Sequence, residues 1–316
     1  MIFFDNTNMQ IPYLPFLDSN DLRQAGEQLN KIDFHRIGQN NWPEQFPYTP
    51  YAAFTMAHNG EMLFIRFKVD ETSTMALTRE DNEQVCNDSC VEFFLAVDDS
   101  GYYNFEFTCI GKTLLGFRKE RPAAVHAPED IMASILRYSS LGGANFEETR
   151  LGHPWELTVG IPASALFRHN IDTWQGLKAR INLYKCGDRL SCRHYLSWRP
   201  IDSPKPDFHT PRCFVAVQFE NSPMKDRLLY GLFPGLSAPF IIILLFWLFR
   251  FHDLPLSQFI HQAIALKVQF KLISVGVFFA DLGLFYLFLH LNKNNASKGV
   301  ILAVLIYFFL FLFSSL

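Results

Sequence analysis

An all-β sandwich followed by an α-helical membrane segment is the architecture this 316-residue chain predicts. Three observations carry it. Short runs with period-two alternation recur through the first two thirds, divided by turn residues. Composition changes abruptly near Asn221-Ser222-Pro223, and beyond that point come three apolar stretches of membrane-spanning length. The domains expected are 1–222 and 223–316.

Residues 1 to about 50 carry Pro12, Pro15, Pro43, Pro47 and Pro50, so they are expected to wrap the domain without regular elements. Ala53–Ala57 leads through Asn59-Gly60, a favoured turn pair, into Leu63–Val69, whose alternation marks a half-buried strand. Asp88 to Glu106 is a second hairpin about an Asp98-Asp99-Ser100-Gly101 turn, read as solvated in preference to a calcium loop. Pro122 and Pro128 break the pattern between residues 118 and 150, where Ile131–Arg137 is a short helix or strand. Trp155–Ile161 alternates again before Pro162, and Ala163–Phe167 is one helical turn. Ala179–Lys185 with His194–Trp198 forms a further hairpin, and Phe214–Phe219 is the last strand. Many short strands in series define a sandwich.

Charge divides the chain as sharply as hydropathy does. Residues 1–223 hold 21 basic and 28 acidic residues, and residues 224–316 hold 7 and 3. The first part is acidic and has no basic patch, which excludes nucleic acid as a partner. The apolar stretches run from about Leu228 to Phe249, Leu272 to Leu291 and Gly299 to Leu316. They make membrane lipid a partner and the protein a multi-pass one. Basic flanks divide four (Lys225, Arg227, Lys293, Lys298) against three (Arg250, Lys267, Lys271), which decides little. Met1–Asn6 carries neither a basic n-region nor an apolar h-region, so the N-terminal domain is expected in the cytoplasm. Met224-Lys225-Asp226-Arg227 resembles the start of a separate small membrane protein. The six cysteines show no C-x2-C spacing and read as small buried hydrophobes.

Asp88, Glu92, Asn104 and Glu106 lie among large aromatics in the second hairpin. Carboxylates and amides beside aromatic faces suit the hydroxyls and C–H faces of sugars. Phe208 and His209 occupy a Pro-rich loop, where binding residues concentrate. Trp198 reads as a core residue, and Arg199 beside it as a fork for hydroxyls or a carboxylate. The plainer reading of Glu92 pairs it with Arg66 or Lys68 across strands. Trp42 reads as exposed or as a staple. In the tail, Asp281 is either a functional intramembrane carboxylate, or a start-of-helix residue or a partner of His290 or Lys271.

Asp88-Ser89-Cys90-Val91-Glu92-Phe93-Phe94, Tyr102–Phe107, Trp155-Glu156, Ile161-Pro162, Tyr184–Asp188, His194–Trp198 and Pro206–Pro211 with Phe214 together resemble the family 9 carbohydrate-binding modules, specifically a family-9-like branch. The resemblance covers about residues 35–220. It implies an immunoglobulin-like β-sandwich that binds a mono- or oligosaccharide without cleaving it, in association with hydrolases and polysaccharide breakdown. The family clamps a sugar between two tryptophans. One of these positions falls near Cys86 or Asn87 and the other near Phe208. The motif glutamate falls on Glu92, and the family's inner-strand arginine falls near Glu106. The ligand-binding set expected is therefore Glu92, Asn104, Glu106, Trp198, Arg199, Phe208 and His209. No catalytic residue and no cofactor is expected; structural calcium is the one ion the resemblance allows, with no ligands placed. Two alternatives stay open: a glycoside hydrolase using Glu92 and Glu106, and a ligand-less interaction domain tethered to a membrane, as the absent clamp tryptophans suggest.

Overall fold

The computed structural model describes residues 9–120, 124–151, 153–222, 226–266, 268–291 and 293–314. The sequence readings at Met1–Asn6, Pro122, Met224, Lys225 and Lys267, and the last residues of the third apolar stretch, fall outside them. The chain forms two compact units, residues 1–222 and 223–316.

The first unit is a β-sandwich. Its larger sheet runs in the order Met9–Ile11, Val215–Phe219, Lys178–Cys186, Cys90–Ala96, Tyr102–Thr108, Thr113–Arg118, Val125–His126, and the Tyr195–Ser197 and Gln39–Asn40 strands continue from Lys178–Cys186. The second sheet runs Leu136–Ser139, Trp155–Pro162, Met62–Asp70, Tyr51–His58, His35–Arg36. The alternation read at Leu63–Val69 and Trp155–Ile161 has one cause: Leu63, Ile65, Phe67 and Val69, and Trp155, Leu157, Val159 and Ile161, face the inter-sheet core, and the two strands pair, Trp155 opposite Val69 and Ile161 opposite Leu63. Val91, Phe93, Leu95, Phe105, Phe107 and Leu183 from the larger sheet meet Phe54, Ile65, Phe67, Trp155, Leu157 and Val159 from the smaller in one buried core. Gly60 has φ +104°, a left-handed conformation that its turn assigns to glycine.

The wrap expected over residues 1–50 is more regular than its prolines suggest. Leu22–Leu29 is an α-helix, capped by Asp21, whose Oδ1 accepts from the Gln24 amide at 2.9 Å. Leu17, Ala25 and Leu29 cover Ala57 and Phe64 on the outer side of the second sheet. Gly26 permits that approach, since a Cβ there would stand 2.0 Å from Arg66 Nη1. Arg66 bonds Glu156, and donates to Thr158 Oγ1 at 2.9 Å. Lys68 also approaches Glu156, at 3.4 Å. The expected pairing of Glu92 with Arg66 or Lys68 is thereby corrected: these cations stand on the other sheet and share a carboxylate there. Ile131–Arg137 divides between the helix Glu129–Ser134 and the strand Leu136–Ser139.

The second unit holds three helices long and apolar enough to cross a membrane, Leu229–Arg250, Lys271–His290 and Asn294–Phe313. A shorter helix, Leu256–Ala265, was not foreseen. Small residues bring the first and third spans together: a Cβ on Gly231 would stand 1.7 Å from the Ala296 carbonyl oxygen, and one on Gly299 2.0 Å from that of Leu228. Asp226 accepts from the amides of Asn295 and Ala296, both at 2.9 Å, capping the third span. Asp281 closes a π-helical turn, Val277–Asp281. It is buried, lines an apolar cavity of about 460 Å³ with Ser274 and Tyr307, and its carboxyl has no hydrogen-bond partner among the described residues. The pairing of Asp281 with His290 or Lys271 is not formed.

Candidate functional site

Strand alternation fixes what the outer face of the larger sheet carries. Cys90, Glu92, Phe94 and Ala96 point away from the inter-sheet core, as do Tyr102, Asn104 and Glu106 on the next strand and Asn182, Tyr184 and Cys186 on the other side. Register turns these into rows. Glu92 stands opposite Glu106 on one side and Tyr184 on the other. Phe94 stands opposite Asn104 and Asn182, and Cys90 opposite Cys186.

Glu92 is 3 % exposed. Its Oε1 accepts from the Cys186 thiol at 3.1 Å. Burial first, and then the neighbouring Glu106 carboxylate, hold its pKa well above the usual range. Asn104 Nδ2 donates to Glu106 Oε1 at 2.8 Å, and Arg118 Nε donates to Asn104 Oδ1 at 3.0 Å. Gly116 leaves room for this relay, because a Cβ there would stand 2.8 Å from Asn104 Oδ1. Burial pushes the Cys90 thiol up to about 12, and a hydrogen bond with Cys90, followed by burial, raises that of Cys186.

Aromatic residues surround these groups. Phe208 is 8 % exposed and stacks on Tyr184 with ring centroids 4.3 Å apart and planes 11° apart. The Tyr184 hydroxyl donates to the Phe208 carbonyl at 3.2 Å. His209 lies over Phe94 at 5.1 Å, and its Nδ1 is 3.0 Å from the Tyr102 hydroxyl. Trp42 packs near Phe208 at 6.2 Å and donates from Nε1 to the Ser203 carbonyl at 2.8 Å. It is buried, which fits the staple reading and not the exposed one. Arg118, Asp188, His209 and Cys86 are half-buried at the rim.

Of the expected set, Glu92, Asn104, Glu106, Phe208 and His209 come together on this face. Trp198 and Arg199 do not. Trp198 turns into the inter-sheet core against Phe54, 5.4 Å away, and the Arg199 guanidinium lies 4.4 Å over the Trp198 ring. Asp88 is committed to structure, its Oδ2 accepting from the amides of Leu77 and Thr78. Sequence reasoning missed Tyr184, Tyr102, Arg118 and Trp42. Alternation along Lys178–Cys186 could have placed Tyr184 and Asn182 on one face, but only register sets Tyr184 beside Glu92.

Behind the sheet, Lys185 points inward to a buried network. Its Nζ is 2.8 Å from Glu71 Oε2 and 2.8 Å from His194 Nε2. Trp155 Nε1 donates to Glu71 Oε1 at 2.8 Å. Burial first, then the Lys185 charge, drives the His194 pKa down to about 2, so its ring is neutral.

The fold and this face define a β-sandwich module with a polar and aromatic patch on its larger sheet. The model of carbohydrate-binding family 9 matches residues 23–219. A protein of Bacteroides uniformis ATCC 8492, provisionally described as carbohydrate-binding and solved as a crystal structure, is 34 % identical; the match covers 67 % of this chain and 97 % of that one, with a TM-score of 0.61. This chain belongs to carbohydrate-binding family 9. Two structures of a family 9 module from Caldicellulosiruptor kristjanssonii, one with glucose and one with cellotriose, are each 10 % identical. They cover 68 % of this chain, 96 % and 94 % of their own, with TM-scores of 0.44 and 0.41. Among curated proteins none matches the chain.

Proposed function

We propose that the sandwich binds a mono- or oligosaccharide without cleaving it, and that the apolar helices hold it at a membrane. The observation that carries this reading is the row Tyr184–Glu92–Glu106 with Asn104 and Arg118 beside it, roofed by Phe208. It supplies hydroxyl acceptors, an amide, a guanidinium and aromatic faces within one patch. The two carboxyls are neighbours on one sheet face. A glycosidase needs its pair on either side of a scissile bond, so the arrangement favours holding a sugar over hydrolysing it. A role in polysaccharide breakdown is the finer part of the proposal, supported by family membership.

The test is calorimetric titration of the full chain, in a detergent without a sugar headgroup, against a panel of mono- and oligosaccharides. Saturable heat is expected, weakened by Glu92→Ala and by Phe208→Ala in protein that remains folded. Reducing ends released from the same glycans would favour the hydrolase reading. No heat from folded protein with any sugar would favour the interaction-domain reading.

A further inference from the structure

The same face holds a second chemistry, built on two thiols that the sugar reading does not use and on Glu92, which it does. Cys90 and Cys186 are direct partners on adjoining strands, so their thiols project side by side. Glu92 lies two residues along on that face. One ligand atom from each of the three lies within 4.8 Å of the others, and all three residues are buried. A tetrahedral site with metal–sulfur bonds near 2.3 Å and metal–oxygen bonds near 2.1 Å separates its donors by roughly 3.5–3.8 Å. Small side-chain rotations would therefore close the set on one ion. Packing alone explains it poorly. A buried carboxyl is costly without strong partners, and thiols are weak donors. Two thiolates with a carboxylate match the preference of a borderline-soft ion and not that of calcium. Cys86 borders the set, its carbonyl 3.9 Å from Cys186 Sγ, and the Asp188 amide donates to that carbonyl at 3.0 Å.

We propose that Cys90, Cys186 and Glu92 form a binding site for a thiophilic divalent cation, with Zn2+ as the reference ion. On binding, each thiol releases its proton to solvent and its sulfur lone pair bonds the metal; Glu92 likewise binds as the carboxylate, and no oxidation state changes. The site shares Glu92 with the sugar reading, but its test uses no glycan, so the two can fail separately.

The test is titration of the reduced, chelator-treated full chain in detergent with Co2+ alone, followed by absorbance and then by Zn2+ competition. The result expected is a thiolate-to-cobalt charge-transfer band that saturates at one ion per chain and is displaced by Zn2+. The band is lost in Cys90→Ser and in Cys186→Ser, and kept in Cys192→Ser. No band from folded wild-type protein, a band that survives the double Cys90→Ser/Cys186→Ser replacement, or its loss in Cys192→Ser would overturn the assignment. Should the serine variants unfold, X-ray absorption at the zinc edge of the wild-type protein decides instead: two sulfur ligands support the site, and none refutes it.

Discussion

Replacing Glu92 with glutamine should make the sandwich more stable at neutral pH and change how its stability follows pH. Glu92 is buried beside Glu106, and its pKa is raised by burial first and by that neighbour second. A carboxyl of the unfolded chain titrates near about 4.3. The folded state therefore binds more protons than the unfolded one above that pH, and stability falls as pH rises toward the folded value. This contribution is fully present below about pH 4.3 and worth about 1.4 kcal/mol for each unit of upward displacement. His58, lowered to about 4 chiefly by burial, and His194, lowered to about 2, act in the opposite sense, losing stability as pH falls from about 6.5 through those values. The wild-type curve is a sum, and the difference between wild type and Glu92→Gln isolates the glutamate. Glutamine keeps an oxygen to accept from Cys186 and offers Glu106 a donor. A gain of about 1–3 kcal/mol at neutral pH is expected, the cost of an ill-satisfied buried polar group. Urea unfolding of the full chain in detergent, followed by the fluorescence of buried Trp155 and Trp174, reads it at about pH 5 and about pH 8. An equal offset at both pH values, or a loss of stability at the higher one, would refute the reasoning.

Three further outcomes are expected. Lys185→Met leaves Glu71 buried without its cation and should cost about 3–5 kcal/mol; a change below about 1 kcal/mol in the same urea experiment would show that the network is dispensable. His58 is wholly buried with neither ring nitrogen bonded among the described residues, so His58→Phe should flatten acid destabilisation between about pH 4 and about pH 6.5, seen as a smaller drop in melting temperature. Gly231→Leu drives a side chain into the Ala296 carbonyl and should part the first and third spans. A disulfide-trapping assay between cysteines placed on those helices would show reduced cross-linking, and unchanged cross-linking would contradict the packing.

Local pattern made much of the sandwich legible. The Asn59-Gly60 turn, the Cys90–Thr108 hairpin and the alternation of Trp155–Ile161 depend on neighbours a few residues apart. The helix Leu22–Leu29 was hidden because flanking prolines dominate its surroundings and because Gly26, a poor helix residue, is required by Arg66 on a distant strand. Glu92, Asn104 and Glu106 were legible as a group because one hairpin carries them. Tyr184 and Cys186 were not, since they reach Glu92 only through pairing across some ninety residues of sequence. Trp198 was legible as a core residue from its place on a strand, and the ring is buried against Phe54; the ligand-binding set that included it was not borne out there. The helices long and apolar enough to cross a membrane were readable from hydropathy alone, whereas their glycine contacts required a partner helix.

The most direct measurement is a crystal structure of the protein grown with the sugar that binds it best. The sugar is expected on the outer face of the larger sheet, with hydroxyls within about 3 Å of Glu92 or Glu106 and a ring face against Phe208. A sugar bound elsewhere on the sandwich, with this face unchanged and dry, would contradict the assignment of the site.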